Sequence, residues 1–212
     1  MTELRKRIQT SIILFVILIL ALKYQFILSL TLILIFHQIL FEFQLILKKI
    51  YKKLEIYIIL TVFTFYLSFF ILLIWNNLYI GNSYNKIILL FIISICVFTD
   101  IGGYVFGKIF KGKKLTKISP KKTYSGMIGS YLMPLIINTI IFKEYLALDT
   151  IIISIIIIST VSQLGDLFIS YLKRKSKIKD TDKILPGHGG LLDRFDGIIF
   201  ALPLGLFLLK VI

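Results

Sequence analysis

Apolar residues in this chain come in runs too long for one face of a soluble helix, such as 12–22 and 151–158, each flanked by more of the same. A bilayer-spanning helix needs about 20 mostly apolar residues, so these runs predict membrane spans. Marked between polar breaks they number about seven, near 8–22, 25–47, 56–75, 86–107, 126–142, 150–172 and 197–211. Lys23, Tyr24 and Gln25 leave only a tight break between the first two, which read together as a helical hairpin. Seven spans occupy roughly 140 positions. The pattern therefore predicts an all-α polytopic bundle forming a single integral membrane domain over residues 1–212. No small-residue cleavage site follows the first run, which argues against a removable signal peptide.

Composition agrees with that pattern. Of 212 residues, 58% are hydrophobic and 17% charged, and the mean hydropathy is +0.92. Soluble domains run about 25% charged, so a water-soluble globule is excluded. The single cysteine, Cys96, lies in an apolar run, which excludes a disulfide framework or a cysteine metal cluster. Charge then adds direction. Of the 25 basic residues, 21 fall in alternate segments: Arg5, Lys6 and Arg7; Lys48, Lys49, Lys52 and Lys53; seven from Lys108 to Lys122; seven from Lys173 to Arg194. Lysine and arginine in short loops favour the cytoplasmic side, so the N-terminus is expected there. The net charge of +14 is thus concentrated at one membrane face, where it can meet anionic headgroups or an anionic substrate.

Residues 108–125 and 173–196 are the long polar stretches. Five of the seven aspartates, Asp166, Asp180, Asp182, Asp193 and Asp196, fall within thirty-one consecutive positions. Acidic residues contribute little to orientation, whereas carboxylates interleaved with lysine and arginine suit a site holding a divalent cation together with phosphates. Asp193 and Asp196 stand i, i+3 at the expected start of the last span, where both could project from one helical face toward one metal. A simple N-terminal cap is the plainer reading of the same pair. Gly189 and Gly190 permit close backbone approach to an anion, and Pro186, Gly187 and His188 supply a turn and a hydrogen-bonding side chain. Asp166 and Asp100 lie about 10 Å below the membrane surface in their spans, a costly placement that marks both as site candidates. Gly102, Gly103 and Gly107 beside Asp100 suggest close helix packing. His37, Gln38 and Glu42 in the second span read as interhelical hydrogen bonds. The string Ser119-Pro120-Lys121-Lys122-Thr123 lacks the spacing of a P-loop.

The segment Ser170 to Arg174, then Lys179-Asp180, then Pro186 to Asp196 (PGHGGLLDRFD) closely resembles the signature of the phosphatidate cytidylyltransferase (CDP-diacylglycerol synthase) family. Upstream, Gly165-Asp166-Leu167, Asp100 to Gly107 with Tyr104, and the SPKKT string follow in the family's order. The resemblance covers about residues 98–205, including loops 108–125 and 173–196. It implies a polytopic enzyme that uses Mg²⁺, alone or with a second cation, to join CTP and phosphatidate into CDP-diacylglycerol and diphosphate. It assigns metal ligation to Asp166, Asp193 and Asp196, and catalytic roles to these and to Lys173, Arg174, Lys179, Asp180, His188 and Arg194. Substrate contacts would come from Asp100, Tyr104, Ser119, Lys121, Lys122, Thr123, Ser170, Gly189 and Gly190. The implied partners are CTP, phosphatidate and membrane lipids, with no nucleic acid, and a homodimer is compatible. The implied location is a bacterial-type inner membrane with the active site on the cytoplasmic side. Three positions depart from the family: it usually has Glu where Ile169 and Ser125 stand, and a small residue where Asp182 stands. Related alternatives are a CTP-dependent lipid kinase and a cytidylyltransferase for another anionic lipid. A transporter would call for acids nearer the bilayer centre and inverted repeats, and the sequence shows neither.

Overall fold

The computed structural model describes residues 3–116, 118–182, 184 and 189–211, and every long element in it is a helix. In order they are α1 (Glu3–Lys23), α2 (Gln25–Leu47), α3 (Lys53–Trp75) with a π-helical turn (Asn76–Ile80), α4 (Ser83–Phe110), α5 (Tyr124–Phe142), α6 (Leu148–Lys175), α7 (Leu192–Phe195) and α8 (Ile198–Val211). Five stretches are long and apolar enough to cross a membrane: α2, Lys53–Ile80, α4, α5 and α6. The expectation of seven is corrected on this point among the described residues. The apolar part of α1 is only Gln9–Lys23, and α8 has 14 residues. At 1.5 Å per residue, α8 reaches about 21 Å against a hydrocarbon core of about 30 Å. Large apolar side chains on the spanning helices stay exposed, among them Phe26 (78%) and Phe65 (75%), as lipid-facing side chains should.

The chain divides into two compact units. The first comprises Met1–Ile80 and Leu172–Phe195. In it α2 buries Leu28, Leu32, Ile39, Phe43, Ile46 and Leu47, a stripe at three-, four- and seven-residue spacing, while α3 buries Leu67, Phe70 and Ile74. Phe43 stacks on Phe63 with ring centres 4.0 Å apart, and the Trp75 indole donates to Ser29 at 3.2 Å.

The second unit comprises Gly81–Tyr171 and Asp196–Ile212. Here α4 and α5 meet backbone to backbone. A Cβ at Gly102 would overlap the Gly129 carbonyl, one at Gly126 would lie 2.6 Å from the Gly103 carbonyl oxygen, and one at Gly129 would run into the Phe106 ring. The packing role expected for Gly102, Gly103 and Gly107 is thus what the helices show. Polar pairs add to this, as interhelical hydrogen bonds do in membranes: Ser94 of α4 pairs with the buried Asn138 of α5, and Thr99 of α4 donates to Ser159 of α6 at 2.8 Å.

Candidate functional site

In the first unit, the functional geometry begins where α6 ends. The Ile178 amide donates to the Lys173 carbonyl (2.9 Å) and the Lys177 amide to that of Arg174 (3.0 Å), with Lys177 at φ +58°. This is a Schellman ending in which a lysine occupies the left-handed position that glycine usually takes. It turns the chain back so that Lys173, 8% exposed, meets Asp193 on the short helix α7 at 2.7 Å. The second Asp193 oxygen accepts from the Thr181 amide (3.0 Å), the Thr181 hydroxyl (3.1 Å) and the Gly190 amide (3.1 Å). Burial acts to raise the Asp193 carboxyl, but the Lys173 hydrogen bond and charge and the two amides outweigh it and hold the group below its ordinary value.

Behind this cluster stands Glu42 of α2, fully buried. One of its oxygens accepts from Gln38 (2.9 Å) and the Leu191 amide (2.8 Å), the other from the Leu192 amide (2.9 Å) and the Thr181 hydroxyl. Gln38 also donates to Asp182 at 3.1 Å. The interhelical hydrogen bond expected for Glu42 is present, from α2 to the Leu192 amide of α7, and it extends to Leu191 and Thr181 because amides at a helix start lack partners of their own; Gln38 bonds within α2 and to Asp182 instead. Glu42 lies outside the residue set implied by the resemblance. Its signal in the sequence is a carboxylate inside an apolar span, a placement that is costly unless used. The glycines follow from this crowding. Gly189 has φ +84°, and a Cβ on it would lie 3.1 Å from Asp193, while a Cβ on Gly190 would overlap Thr181 and Glu42. Arg174, Lys179, Asp180 and Arg194 are exposed around the cluster, and Arg174 donates to the Ile178 carbonyl at 3.4 Å. Lys175 sits 4.8 Å from the Tyr51 ring centre, so the basic end of α6 meets the 48–53 segment in this unit. His188, with Pro186 and Gly187, lies outside the described residues.

In the second unit, residues 113–115 run back along 122–124, the Leu115 amide donating to the Lys122 carbonyl (2.8 Å) and that of Tyr124 to the Lys113 carbonyl (3.1 Å). The turn presents Lys122 to Asp166 of α6 in an ion pair, and Ser170, one turn on, donates to the same carboxylate at 3.2 Å. Thr123 caps α5 by accepting from the Gly126 amide at 3.1 Å. Ser119 accepts from the Lys122 amide through its carbonyl at 3.0 Å, Lys121 is exposed, and Ser125 donates to the Lys111 carbonyl. Asp100 and Tyr104 are exposed on α4, with Lys108 5.6 Å from the Tyr104 ring centre. Ile169 is fully buried. Asp193 lies on α7 and Asp196 in the turn that follows it, two residues before the last helix begins at Ile198. The chain breaks its helix at 196–197, between α7 and α8, where a Cβ on Gly197 would overlap Ser162. Asp196 is buried there and accepts from the Gly197 amide at 2.9 Å.

Among the described residues, no three His, Cys, Asp or Glu side chains converge as an all-protein metal cage would require. The donor chemistry instead matches a cation taken up with phosphate, since Mg²⁺ is usually bound by one or two carboxylates plus substrate oxygens. Asp193 beside Lys173 and Asp166 beside Lys122 each offer a carboxylate for the cation and an ammonium for the anion.

The model of the cytidylyltransferase family matches residues 1–212. The chain is 43% identical over 131 residues to the phosphatidate cytidylyltransferase of Staphylococcus saprophyticus, covering 60% of this chain and 50% of that protein. It is 44% identical over 122 residues to the protein of that name from Rickettsia conorii, covering 53% of each. It is 41% identical over 138 residues to the one from Rickettsia bellii, covering 60% of each. The chain thus spans about half the length of the curated relatives it matches.

Proposed function

The chain belongs to the cytidylyltransferase family, and from that membership we propose that it is a CTP:phosphatidate cytidylyltransferase, an integral membrane enzyme of phospholipid synthesis. The observation that carries the reading is the Lys173–Asp193 pair, set against the Thr181 and Gly190 amides in the segment that resembles the family signature. A phosphate oxygen of phosphatidate attacks the α-phosphorus of CTP, the bond to the bridging oxygen breaks, and diphosphate leaves with the electron pair. Both reactants are polyanions, so positive charge placed in advance is the main requirement. Lys173, Arg174, Lys179 and Arg194 supply it to the phosphates, and Lys121 and Lys122 supply it to the CTP tail or the lipid headgroup. Gly189 and Gly190 let the backbone approach an oxygen closely. The family resemblance names Asp166, Asp193 and Asp196 as Mg²⁺ ligands; with substrate oxygens completing the shell, Asp193 in the first unit or Asp166 and Asp196 in the second would supply the carboxylate, and Mg²⁺ when bound would neutralise charge developing on the diphosphate. The attacking phosphate is already ionised near neutral pH, and no general base is required of the protein. We place the basic segments, and with them the reaction, on the cytoplasmic side of a bacterial-type inner membrane.

Purified chain in detergent, given Mg²⁺, labelled CTP and a panel of lipids, should form a cytidine-containing lipid with phosphatidate and none with diacylglycerol. Labelling of a different anionic lipid in preference to phosphatidate would replace phosphatidate as the acceptor. No labelled lipid with any lipid phosphate would overturn the reading.

A further inference from the structure

Resting on that functional reading, we propose that Glu42, in the half of the chain distant from the signature, is a positioning residue that sets the geometry of the Asp193 loop. Glu42 is 139 to 150 residues away from its loop partners, yet its two oxygens take the Leu191 and Leu192 amides at the start of α7 and the Thr181 hydroxyl. That hydroxyl also lies 3.1 Å from Asp193, whose same oxygen holds the Thr181 and Gly190 amides. Glu42 and Asp193 are thus two carboxylates joined through one threonine. Thr181 has one hydroxyl proton for both, so its orientation and that of Asp193 are coupled. Glu42 has no room to adjust. It is fully buried, and it fills the space that a side chain at Gly190 would need. Asp193 therefore keeps its aim only while Glu42 accepts the α7 amides, and a loop that carries phosphate- and cation-binding groups requires such backing.

The test compares wild type, Glu42→Gln and Thr181→Val as full-length purified chain, by hydrogen–deuterium exchange and by CTP turnover with phosphatidate. Glutamine keeps the size of Glu42 but turns a donor toward one pair of donors. Exchange at Leu191 and Leu192 should rise at least tenfold. Exchange should also rise at the Thr181 and Gly190 amides, which bond to Asp193 and not to Glu42, while α4 and α5 stay as protected as in wild type. The kcat/KM for CTP should fall by about 10- to 100-fold, the range for removal of a supporting partner. Thr181→Val, which keeps the backbone amides, should produce part of the same loss, and the double variant should lose less than the product of the two. Faster exchange confined to Leu191 and Leu192, with kcat/KM unchanged, would overturn the proposal and leave Glu42 as a helix cap alone. If wild type proved inactive with CTP, the functional reading would fall, and the exchange at Thr181 and Gly190 would still decide the coupling.

Discussion

Replacing Asp193 by Asn separates what its carboxylate does for the fold from what it does for the reaction. Asp193 accepts Lys173 on one oxygen and two amides and a hydroxyl on the other. An Asn side chain has one acceptor end and one donor end, so whichever way it turns, donors face donors. The larger consequence is for Lys173. The side chains of Lys173 and Asp193 are only 10% and 11% exposed, so losing the charge strands a nearly buried ammonium. Removing one member of a buried pair costs about 3–5 kcal/mol, and the residual exposure favours the lower end, about 3 kcal/mol. For a chain of this size that is a fall in Tm of roughly 6–12 °C. Lys173→Met alone should cost a similar amount by leaving the carboxylate unpaired. The double variant, with neither charge, should recover about 2–3 kcal/mol of the summed loss, because a neutral pair of matching volume removes both desolvation costs. Cys96, buried and the one cysteine of the chain, makes the assay direct: a thiol-reactive dye reports unfolding during a thermal ramp in detergent. Turnover should not recover in the double variant, since on the proposed reading Lys173 meets a phosphate and Asp193 the cation. Strictly additive losses in Tm would refute the assignment of Lys173 and Asp193 as a coupled buried pair.

Three further outcomes follow from other parts of the structure. Gly129→Ala should destabilise by about 1–3 kcal/mol, read by the same dye, because its Cβ would meet the Phe106 ring and the Gly102 carbonyl oxygen; an unchanged Tm would contradict the backbone-to-backbone packing of α4 and α5. Lys177→Gly should stabilise by about 1 kcal/mol, since a non-glycine residue at φ +58° is strained. The Asp193 carboxyl is held below its ordinary value, so its stabilising contribution should be fully present above about pH 4, the unfolded carboxylate value. It should fade as pH falls through the lower folded value, and Asp193→Asn should flatten that part of the Tm against pH curve.

The helices from α2 to α6 were legible because an apolar run of span length has few other uses, and their ends fell close to the charged breaks. The first and last spans were overread. Apolarity alone counts a short helix like α8 as a span, and hydropathy does not register the break at 196–197, where Gly197 packs closely against Ser162. At the site, the Asp193 loop was legible from its clustered acids, bases and glycines. Its pairing with Lys173 was not, because it depends on the non-glycine turn at Lys177, a residue whose type does not announce a left-handed conformation. Glu42 was visible as an acid in an apolar run, but its partners lie 139 to 150 residues away, beyond any local spacing rule. Thr123 shows the opposite case: a residue of a resemblance motif to which the fold gives a capping task.

On the proposed reading the cytidylyl group, and not a terminal phosphate, is moved onto a lipid phosphate. Parallel reactions of the purified chain with phosphatidate, Mg²⁺ and CTP labelled either at the α- or at the γ-phosphorus test it most directly. α-Label should enter the lipid fraction and γ-label should leave as diphosphate in equal amount. γ-Label in the lipid would contradict it and identify a CTP-dependent lipid kinase.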